Sequence, residues 1–343
     1  MPTLVYVANA TSLDIRVFAF DRASGALDLV QTVPVPDAPE PSPISLPFTL
    51  SLDQRFLYAG YRGKPQSLKT FAMEPGGRLR YVSSVPLPVA MAYIKPDRSG
   101  RFLLCASYFD KLLAVHPLLP DGSAAPAQQV MNLEGSAHAI MTDPANRYAL
   151  VTVIGRHRIE ARRFDAATGR VAPTAAAVFG SRTGAGPRHF VFSPDGQYIY
   201  VLNERDGSLD VVKYDAGSEA AAPAFSLNGS YSVLPPNFSG APLSADIHLT
   251  PDGRFLYASE RASNTIAAYR CEPEGKLSRL GSVPTEKAPR ALAMDGRGDF
   301  LLAAGQESHR LTVYRIGADG ALSAAGSYAM GENPSWIEMI DLP

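Results

Sequence analysis

The sequence predicts an all-β fold, a β-propeller of seven four-stranded antiparallel blades. A turn-plus-strand pattern recurs along the chain, and almost no segment has the periodicity of a long amphipathic helix. The repeats are anchored at Phe56, Phe102, Tyr148, Tyr198, Phe255 and Phe300. Successive anchors are 45 to 57 residues apart, which is the period of a four-stranded blade and not of a helical or leucine-rich repeat.

The two chain ends are expected to share one blade. A seventh copy of the pattern, TLVYVAN, opens the chain at Leu4 but lacks the strand that precedes every other copy. The segment NPSWIEMIDL, residues 333 to 342, has the pattern of that missing strand. Pairing the two segments closes the ring and leaves only short strand edges exposed, so residues 1–343 are interpreted as one propeller domain.

Each repeat contains the same four elements in order. A first strand leads through a turn such as SPDG into the second strand, which carries the aromatic anchor. A third strand such as LDVVKYD follows, and a turn such as PEGKL or ADGAL leads to a fourth. The glycine in these last turns suits a positive φ angle, which predicts a tight hairpin.

Composition excludes several classes of function. The formal net charge of -1 in 343 residues provides no field for nucleic acid or an anionic membrane. No signal peptide and no apolar run of membrane-spanning length is evident. We therefore expect a cytoplasmic protein, a monomer or weak homo-oligomer, with free buried thiols at Cys105 and Cys271.

Polar residues stand where the repeats differ from one another. Because the SPDG-type turn joins the first two strands at one end of a blade, residues far from it on both strands meet at the other end. The side chains expected at this mouth of the ring are His138, Arg188, His189, Asn203, Glu204, Asp246, His248, Glu260, Arg261, Arg290 and Gln306. A repeat built only for packing would carry similar residues at these positions, so the differences indicate a site.

The residue types favour a small anionic ligand. Arginine forks bind carboxylate or phosphate, and histidines and carboxylates transfer protons near neutral pH. No G-x-S-x-G elbow, zinc spacing or dinucleotide loop is present, so no cofactor or metal is predicted. Two alternatives stay open: each group could be structural, and Asn203, Glu204 and Asp246 could hold a hard cation.

Three long segments carry a family resemblance: GAGPRHFVFSPDGQYIYVLNE, PPNFS followed by ADIHLTPDGRFLYASER, and AAGQESHRLTVYRI. Over essentially its full length the chain resembles the seven-bladed β-propeller lactonase family. That resemblance implies hydrolysis of a sugar-acid lactone, foremost 6-phospho-D-glucono-1,5-lactone. The related carboxy-cis,cis-muconate lactonizing enzymes use a histidine, an arginine, a glutamate and a second arginine, which match His138, Arg188, Glu204 and Arg261.

The resemblance also suggests roles. Arg188 and Arg261 would hold the anionic group or the carbonyl oxygen, and His189 or His138, oriented by Glu204, would take a proton from water. The other polar residues named above, Asn203, Asp246, His248, Glu260, Arg290 and Gln306, would contact the substrate.

The substrate and the reaction both have alternatives. The proline-rich segment VPDAPEPSPISLPFTL lies near the expected mouth, which leaves an unphosphorylated lactone open. The other activities considered are a cycloisomerase or lactone isomerase acting on a muconate or aldarolactone, a metal-dependent lactonase, and a propeller that docks proteins.

Overall fold

A computed structural model describes residues 2–42, 44–174, 177–217 and 222–342. Strands make up most of the fold. The first fifteen are β1 Thr3–Asn9, β2 Asp14–Asp21, β3 Ala26–Pro34, β4 Phe48–Leu50, β5 Phe56–Tyr61, β6 Ser67–Met73, β7 Leu79–Pro86, β8 Tyr93–Pro96, β9 Phe102–Ser107, β10 Leu112–Pro117, β11 Gln129–Asn132, β12 Ala137–Thr142, β13 Tyr148–Val153, β14 Arg158–Asp165 and β15 Arg170–Ala172. The others are β16 Val178–Gly180, β17 Pro187–Phe192, β18 Tyr198–Asn203, β19 Ser208–Asp215, β20 Ala224–Ser232, β21 Ser244–Leu249, β22 Phe255–Glu260, β23 Thr265–Cys271, β24 Leu277–Pro284, β25 Pro289–Met294, β26 Phe300–Gly305, β27 Arg310–Ile316, β28 Leu322–Ala329 and β29 Pro334–Asp341.

The helical content is three short 3-10 turns, at Pro75–Gly77, Ile154–Arg156 and Pro273–Gly275, within the described residues. None of the described helices has the length and apolar character needed to cross a membrane. Cys105 is buried, Cys271 is partly buried, and both are free thiols, as predicted.

The strands form seven antiparallel sheets, which confirms the predicted blades. Blade 1 has the order β29-β1-β2-β3, and blades 2 and 3 are β4 to β7 and β8 to β11. Blade 4 is β12 to β15, with the short strand β16 also pairing with β14. Blades 5, 6 and 7 are β17 to β20, β21 to β24 and β25 to β28. All six predicted aromatic anchors are the first residues of the second strands of blades 2 to 7.

The ring closes between the chain termini, as predicted. Strand β29 pairs with β1, from Thr3 opposite Asp341 to Ala8 opposite Trp336. The innermost strand of each blade contacts the innermost strand of the next all the way round, in the cycle β29, β4, β8, β12, β17, β21, β25 and back to β29. Side chains from these inner strands therefore face a shared axis.

Neighbouring blades are joined by apolar packing and by a repeated hydrogen bond. Tyr6, Leu57 and Phe71 belong to one buried cluster that blades 1 and 2 share. In three blades, a buried tyrosine hydroxyl of the inner strands donates to a glycine carbonyl in the outer turn of the next blade. The pairs are Tyr6 with Gly77 at 2.8 Å, Tyr58 with Gly122 at 2.9 Å and Tyr257 with Gly320 at 2.9 Å. The hydroxyl groups are thus satisfied without exposing the rings.

The turn between the first two strands is held by its own side chains. In the SPDG turn, Ser193 Oγ donates to Asp195 at 2.5 Å and accepts the Tyr198 amide at 2.9 Å. Asp97 Oδ1 accepts the Phe102 amide at 2.9 Å in the equivalent turn of blade 3. These turns fix one end of each hairpin, so the opposite ends converge at the other face of the ring.

Candidate active site

At the converging ends, the innermost strands carry β-bulges. In blade 5, Pro187 pairs with Asn203 and His189 pairs with Leu202, so Arg188 is an extra residue with no paired residue opposite it on β18. The same irregularity occurs in blades 1, 4, 6 and 7. It includes Ser335 in blade 1, His138 in blade 4, Ala245 in blade 6 and Arg290 in blade 7. A bulge bends the strand and re-aims a side chain, which explains why His138, Arg188 and Arg290 reach one cavity.

A second set of side chains comes from the residue that follows the second strand of a blade. Arg62, Tyr108, Glu204 and Arg261 occupy this position after β5, β9, β18 and β22. Together with the bulged residues they surround a cavity of about 160 Å³. Its lining consists of Ile44, Arg62, Ala92, Tyr108, Phe109, His138, Arg188, Glu204, Arg261 and Arg290. The predicted convergence of His138, Arg188, Glu204 and Arg261 is therefore present in the structure.

Glu204 is the carboxylate of this cavity and is paired with two arginines. Its Oε1 accepts Arg261 Nη2 at 2.5 Å and lies 3.5 Å from Arg188 Nε. Burial opposes ionisation, but these two guanidinium groups hold the pKa of the carboxyl below its ordinary value. The family resemblance suggests that Glu204 orients a histidine, whereas its hydrogen bond and ion pairs are with arginines.

Backbone carbonyls fix the two arginines from the other side. Arg188 Nη1 donates to the Ala245 carbonyl, and Arg261 Nε donates to the Leu243 carbonyl at 3.0 Å. Arg188 is 2 % exposed. Both guanidinium groups are therefore held in place before a ligand arrives, as electrostatic catalysis requires.

His138 is a neutral imidazole in the cavity wall. It is 6 % exposed, and its buried Nδ1 has no hydrogen-bond partner among the described residues. Burial and then the positive charge of Arg188 place the pKa of His138 well below its ordinary value. The ring centroid lies 4.9 Å from that of His189 and 6.3 Å from that of Tyr108.

Two further arginines line the same cavity. Arg62 is 5 % exposed, and its Nη1 donates to Ser45 Oγ at 2.6 Å. The Arg290 side chain forms no hydrogen bond or ion pair with a described residue, although Glu204 attracts it electrostatically. Four arginines thus face one glutamate in the cavity lining.

His189 and Asp246 lie behind the cavity, in the central channel. The channel has a volume of about 480 Å³ and is lined by the inner strands. His189 Nδ1 donates to Asp246 Oδ1 at 2.7 Å, and its Nε2 is 3.2 Å from Arg188 Nη1. Burial and Arg188 lower the pKa of His189 to about 4, against the effect of Asp246. His189 is therefore a neutral group with both ring nitrogens engaged.

His248 also faces the channel. It pairs with Tyr257, three residues before Glu260 on β22, so it lies deeper in the channel and does not line the cavity at the mouth, where it was expected. His248 Nε2 is 3.4 Å from Asp246 Oδ2, and Asp246 raises the pKa of His248 against the effect of burial.

Three other predicted substrate contacts lie outside the cavity lining. Asn203 is buried and donates to Ser208 and Asp210 at 2.8 Å within blade 5. Glu260 is buried and accepts backbone amides of its own blade. Gln306 donates to the Ile44 carbonyl at 3.4 Å, beside the cavity. Asn203 and Glu260 are the last residues of β18 and β22, and their side chains bond within their own blades. The residues that follow them, Glu204 and Arg261, line the cavity.

The residues proposed as an alternative cation site do not converge. Asn203 and Asp246 belong to different hydrogen-bond networks, and Glu204 is occupied by arginines. In the part of the chain that the structure describes, no group of three or more histidine, cysteine or acidic side chains has the arrangement of a metal site.

Sequence reasoning missed Arg62, Tyr108 and Ile44. A signal for the first two was present, because both follow a second strand at the position that Glu204 and Arg261 occupy in other blades. Ile44 comes from the proline-rich segment, which confirms that this segment reaches the mouth.

Comparison with known proteins agrees with this architecture. The family model for the seven-bladed β-propeller lactonases matches residues 4–339. The chain is 38% identical over 301 residues to a 6-phosphogluconolactonase of Xenorhabdus nematophila, covering 87% of this chain and 86% of that protein. It is 35% identical over 346 residues to a 6-phosphogluconolactonase of Pectobacterium carotovorum, covering 100% of both. The structure of a periplasmic gluconolactonase of Pseudomonas aeruginosa superimposes with a TM-score of 0.89 at 25% identity, covering 100% of both chains.

Proposed function

Because the chain belongs to the seven-bladed β-propeller lactonase family, we propose that it hydrolyses 6-phospho-D-glucono-1,5-lactone to 6-phosphogluconate. The observation that supports this most strongly is the small cavity in which an ionised glutamate, a neutral histidine and an excess of arginines meet. The names of the relatives, which are lactone hydrolases, favour hydrolysis over cycloisomerisation. Location in the cytoplasm and a monomeric or weakly homo-oligomeric state stay predictions.

Arg188 and Arg261 are proposed to bind the lactone carbonyl. As water adds to the carbonyl carbon, negative charge develops on the carbonyl oxygen, and guanidinium donors fixed in a water-poor site stabilise it. Glu204 holds both arginines through Oε1, which keeps the donors in one orientation. Removing one such donor costs about 3 kcal/mol of transition-state stabilisation.

His138 is proposed as the general base. It lines the cavity and is neutral, so a ring nitrogen can accept a proton from the attacking water. His189 is less suited, since Asp246 and Arg188 already engage its two nitrogens. When the bond between the carbonyl carbon and the ring oxygen breaks, the His138 imidazolium returns the proton to that oxygen, which becomes the new hydroxyl.

The proposal is tested by measuring acid release from the purified protein with 6-phospho-D-glucono-1,5-lactone, above the spontaneous rate. His138→Ala and Glu204→Gln should each reduce kcat by about 10²- to 10⁴-fold. Glu74→Gln is the matched control, because Glu74 lies in an exposed turn and pairs only with Arg80 in the described structure. Wild-type turnover in both site variants, with an unchanged far-UV spectrum, would refute these roles.

A further inference from the structure

Arg62 is a buried cation that lacks a carboxylate partner. Only 5 % of the residue is exposed, and its Nε has no hydrogen-bond partner among the described residues. Its Nη1 donates a hydrogen bond to Ser45 Oγ. The guanidinium stands over the Phe109 ring at 5.8 Å from its centroid. Asp110 attracts it electrostatically without forming an ion pair. Burying a guanidinium without a counter-ion is unfavourable, so the arrangement points to an anion that is supplied from outside.

Arg290 reaches the same cavity from the other side of blade 1, which separates blade 7 from blade 2. Its backbone is the bulged residue of β25 in blade 7, whereas Arg62 follows β5 in blade 2. Arg290 has no hydrogen bond or ion pair with the described residues. Its guanidinium group is repelled by those of Arg188, Arg261 and Arg62 and attracted by the Glu204 carboxylate.

Ser45, in the proline-rich segment, accepts the hydrogen bond from Arg62 Nη1. Ser42 Oγ donates to the Ser45 carbonyl at 2.7 Å, and the Leu46 amide donates to Ser335 Oγ in blade 1 at 3.0 Å. Ser45 is 1 % exposed. The backbone that carries the Ser45 hydroxyl is therefore fixed by hydrogen bonds, which limits where this acceptor of Arg62 can lie.

The positive charges in the cavity outnumber the negative ones. Four guanidinium charges face one carboxylate in its lining, which leaves an excess of three positive charges. Glu204 is occupied by Arg188 and Arg261. A lactone ring gains one negative charge as its carbonyl is attacked, and a phosphate monoester carries close to two at neutral pH. The excess therefore matches a phosphorylated lactone better than a plain one.

We infer that Arg62 and Arg290, the two cavity arginines without a carboxylate ion pair among the described residues, form a clamp for the phosphate group of the substrate beside the Arg188, Arg261 and Glu204 group at the lactone carbonyl. This inference rests on the proposed function and specifies its substrate class. The planar fork of arginine is suited to two parallel hydrogen bonds with phosphate oxygens. The clamp would make phosphorylated lactones the preferred substrates.

The clamp is tested by comparing 6-phospho-D-glucono-1,5-lactone with D-glucono-1,5-lactone. Arg290→Gln should raise KM for the phosphorylated lactone about 10- to 100-fold and change kcat/KM for the plain lactone less than about 3-fold. Arg62→Gln should act in the same direction. Arg205→Gln is the matched control, since Arg205 is exposed beside Tyr108 and outside the cavity lining. Equal losses with both lactones would overturn the clamp.

A titration with inorganic phosphate separates the clamp from the proposed reaction. Calorimetry should show phosphate binding to the wild type and to Arg205→Gln, and at least 10-fold weaker binding to Arg290→Gln. Equal binding to all three proteins overturns the clamp, whether or not any lactone is opened. Binding that depends on Arg290, in a protein that opens neither lactone, supports the clamp and refutes the proposed hydrolysis. Thermal melts of each variant show whether it is folded.

Discussion

The imidazole of His189 donates its Nδ1 proton to Oδ1 of Asp246 over 2.7 Å, from blade 5 to blade 6. This bond selects the tautomer in which Nε2 is an acceptor, and Nε2 lies 3.2 Å from Arg188 Nη1. Leu292 and Ile247 donate backbone amides to the same carboxylate at 2.9 Å and 3.0 Å. We therefore expect Asp246 to act as a positioning residue for Arg188, although it faces the channel and not the cavity.

Asp246→Asn should reduce kcat about 10- to 100-fold with little change in KM, the size expected when a buried polar group loses its hydrogen-bond partner. The amide removes the charge that fixes the His189 tautomer, so Arg188 loses an oriented acceptor. Nitrogen-15 NMR of the histidine side chains should show the Nδ1–H form of His189 in the wild type and a tautomer mixture in the variant.

Asp252→Asn is the control for the Asp246 substitution. Asp252 lies in the exposed turn after β21 and accepts a hydrogen bond from Thr250. Its replacement removes the same charge far from the cavity, so kcat and the NMR spectrum of His189 should be unchanged. A wild-type tautomer in Asp246→Asn together with lowered kcat would show that Asp246 acts in another way.

The pH dependence of the reaction follows from the surroundings of His138. Burial and the charges of Arg188, Arg290 and Arg261 lower its pKa well below the ordinary 6.5. The neutral form is the proposed base, so kcat/KM for D-glucono-1,5-lactone should keep its neutral-pH value as the pH falls past 6.5 and decline only well below it. Glu204 stays ionised over this range, because its carboxyl pKa is below the ordinary 4.5.

The Arg290→Gln variant tests whether nearby positive charge sets the pH at which kcat/KM declines. Removing a positive charge near His138 raises the pKa of the imidazole, so the decline in kcat/KM should begin at higher pH than in the wild type. The plain lactone is used so that phosphate binding does not affect the profile. Arg205→Gln should leave the pH dependence of kcat/KM unchanged. A decline in the kcat/KM of the wild type that begins at or above pH 6.5 would contradict the assignment of His138 as the base.

The sequence predicted the ring and the central residues of the site for one physical reason. A turn that is recognisable at one end of a hairpin places all residues at the other end, so Arg188 and Glu204 could be brought together by counting. Counting assumes regular pairing, and the bulges break it. The bulge at Arg188 is why the opposite directions of Arg188 and His189 could not be foreseen.

The repeat pattern could not predict contacts between blades. Nothing local in the sequence shows that Ser45 supports Arg62, because the contact joins an irregular segment to the end of a strand. Likewise, the bond from His189 to Asp246 crosses between blades. The repeat defines each blade, whereas the site depends on how neighbouring blades meet.

Alanine substitutions at two adjacent glycines would measure how closely blades 1 and 2 pack. Gly76 and Gly77 both have a φ of +77°, so alanine at either position incurs the same backbone cost of about 1 to 2 kcal/mol. A Cβ at Gly76 would meet nothing within 4 Å, whereas one at Gly77 would overlap Leu4 and lie 2.8 Å from the Tyr6 hydroxyl.

Gly77→Ala should therefore lower the free energy of unfolding by about 1 to 3 kcal/mol more than Gly76→Ala, because Leu4 must leave a packed position. The same shift would strain the hydrogen bond from Tyr6 to the Gly77 carbonyl. Urea unfolding of the two variants and the wild type measures the difference, with similar m-values confirming a common unfolded state. Equal losses in the two variants would mean that the turn moves freely and that blade 1 does not hold it.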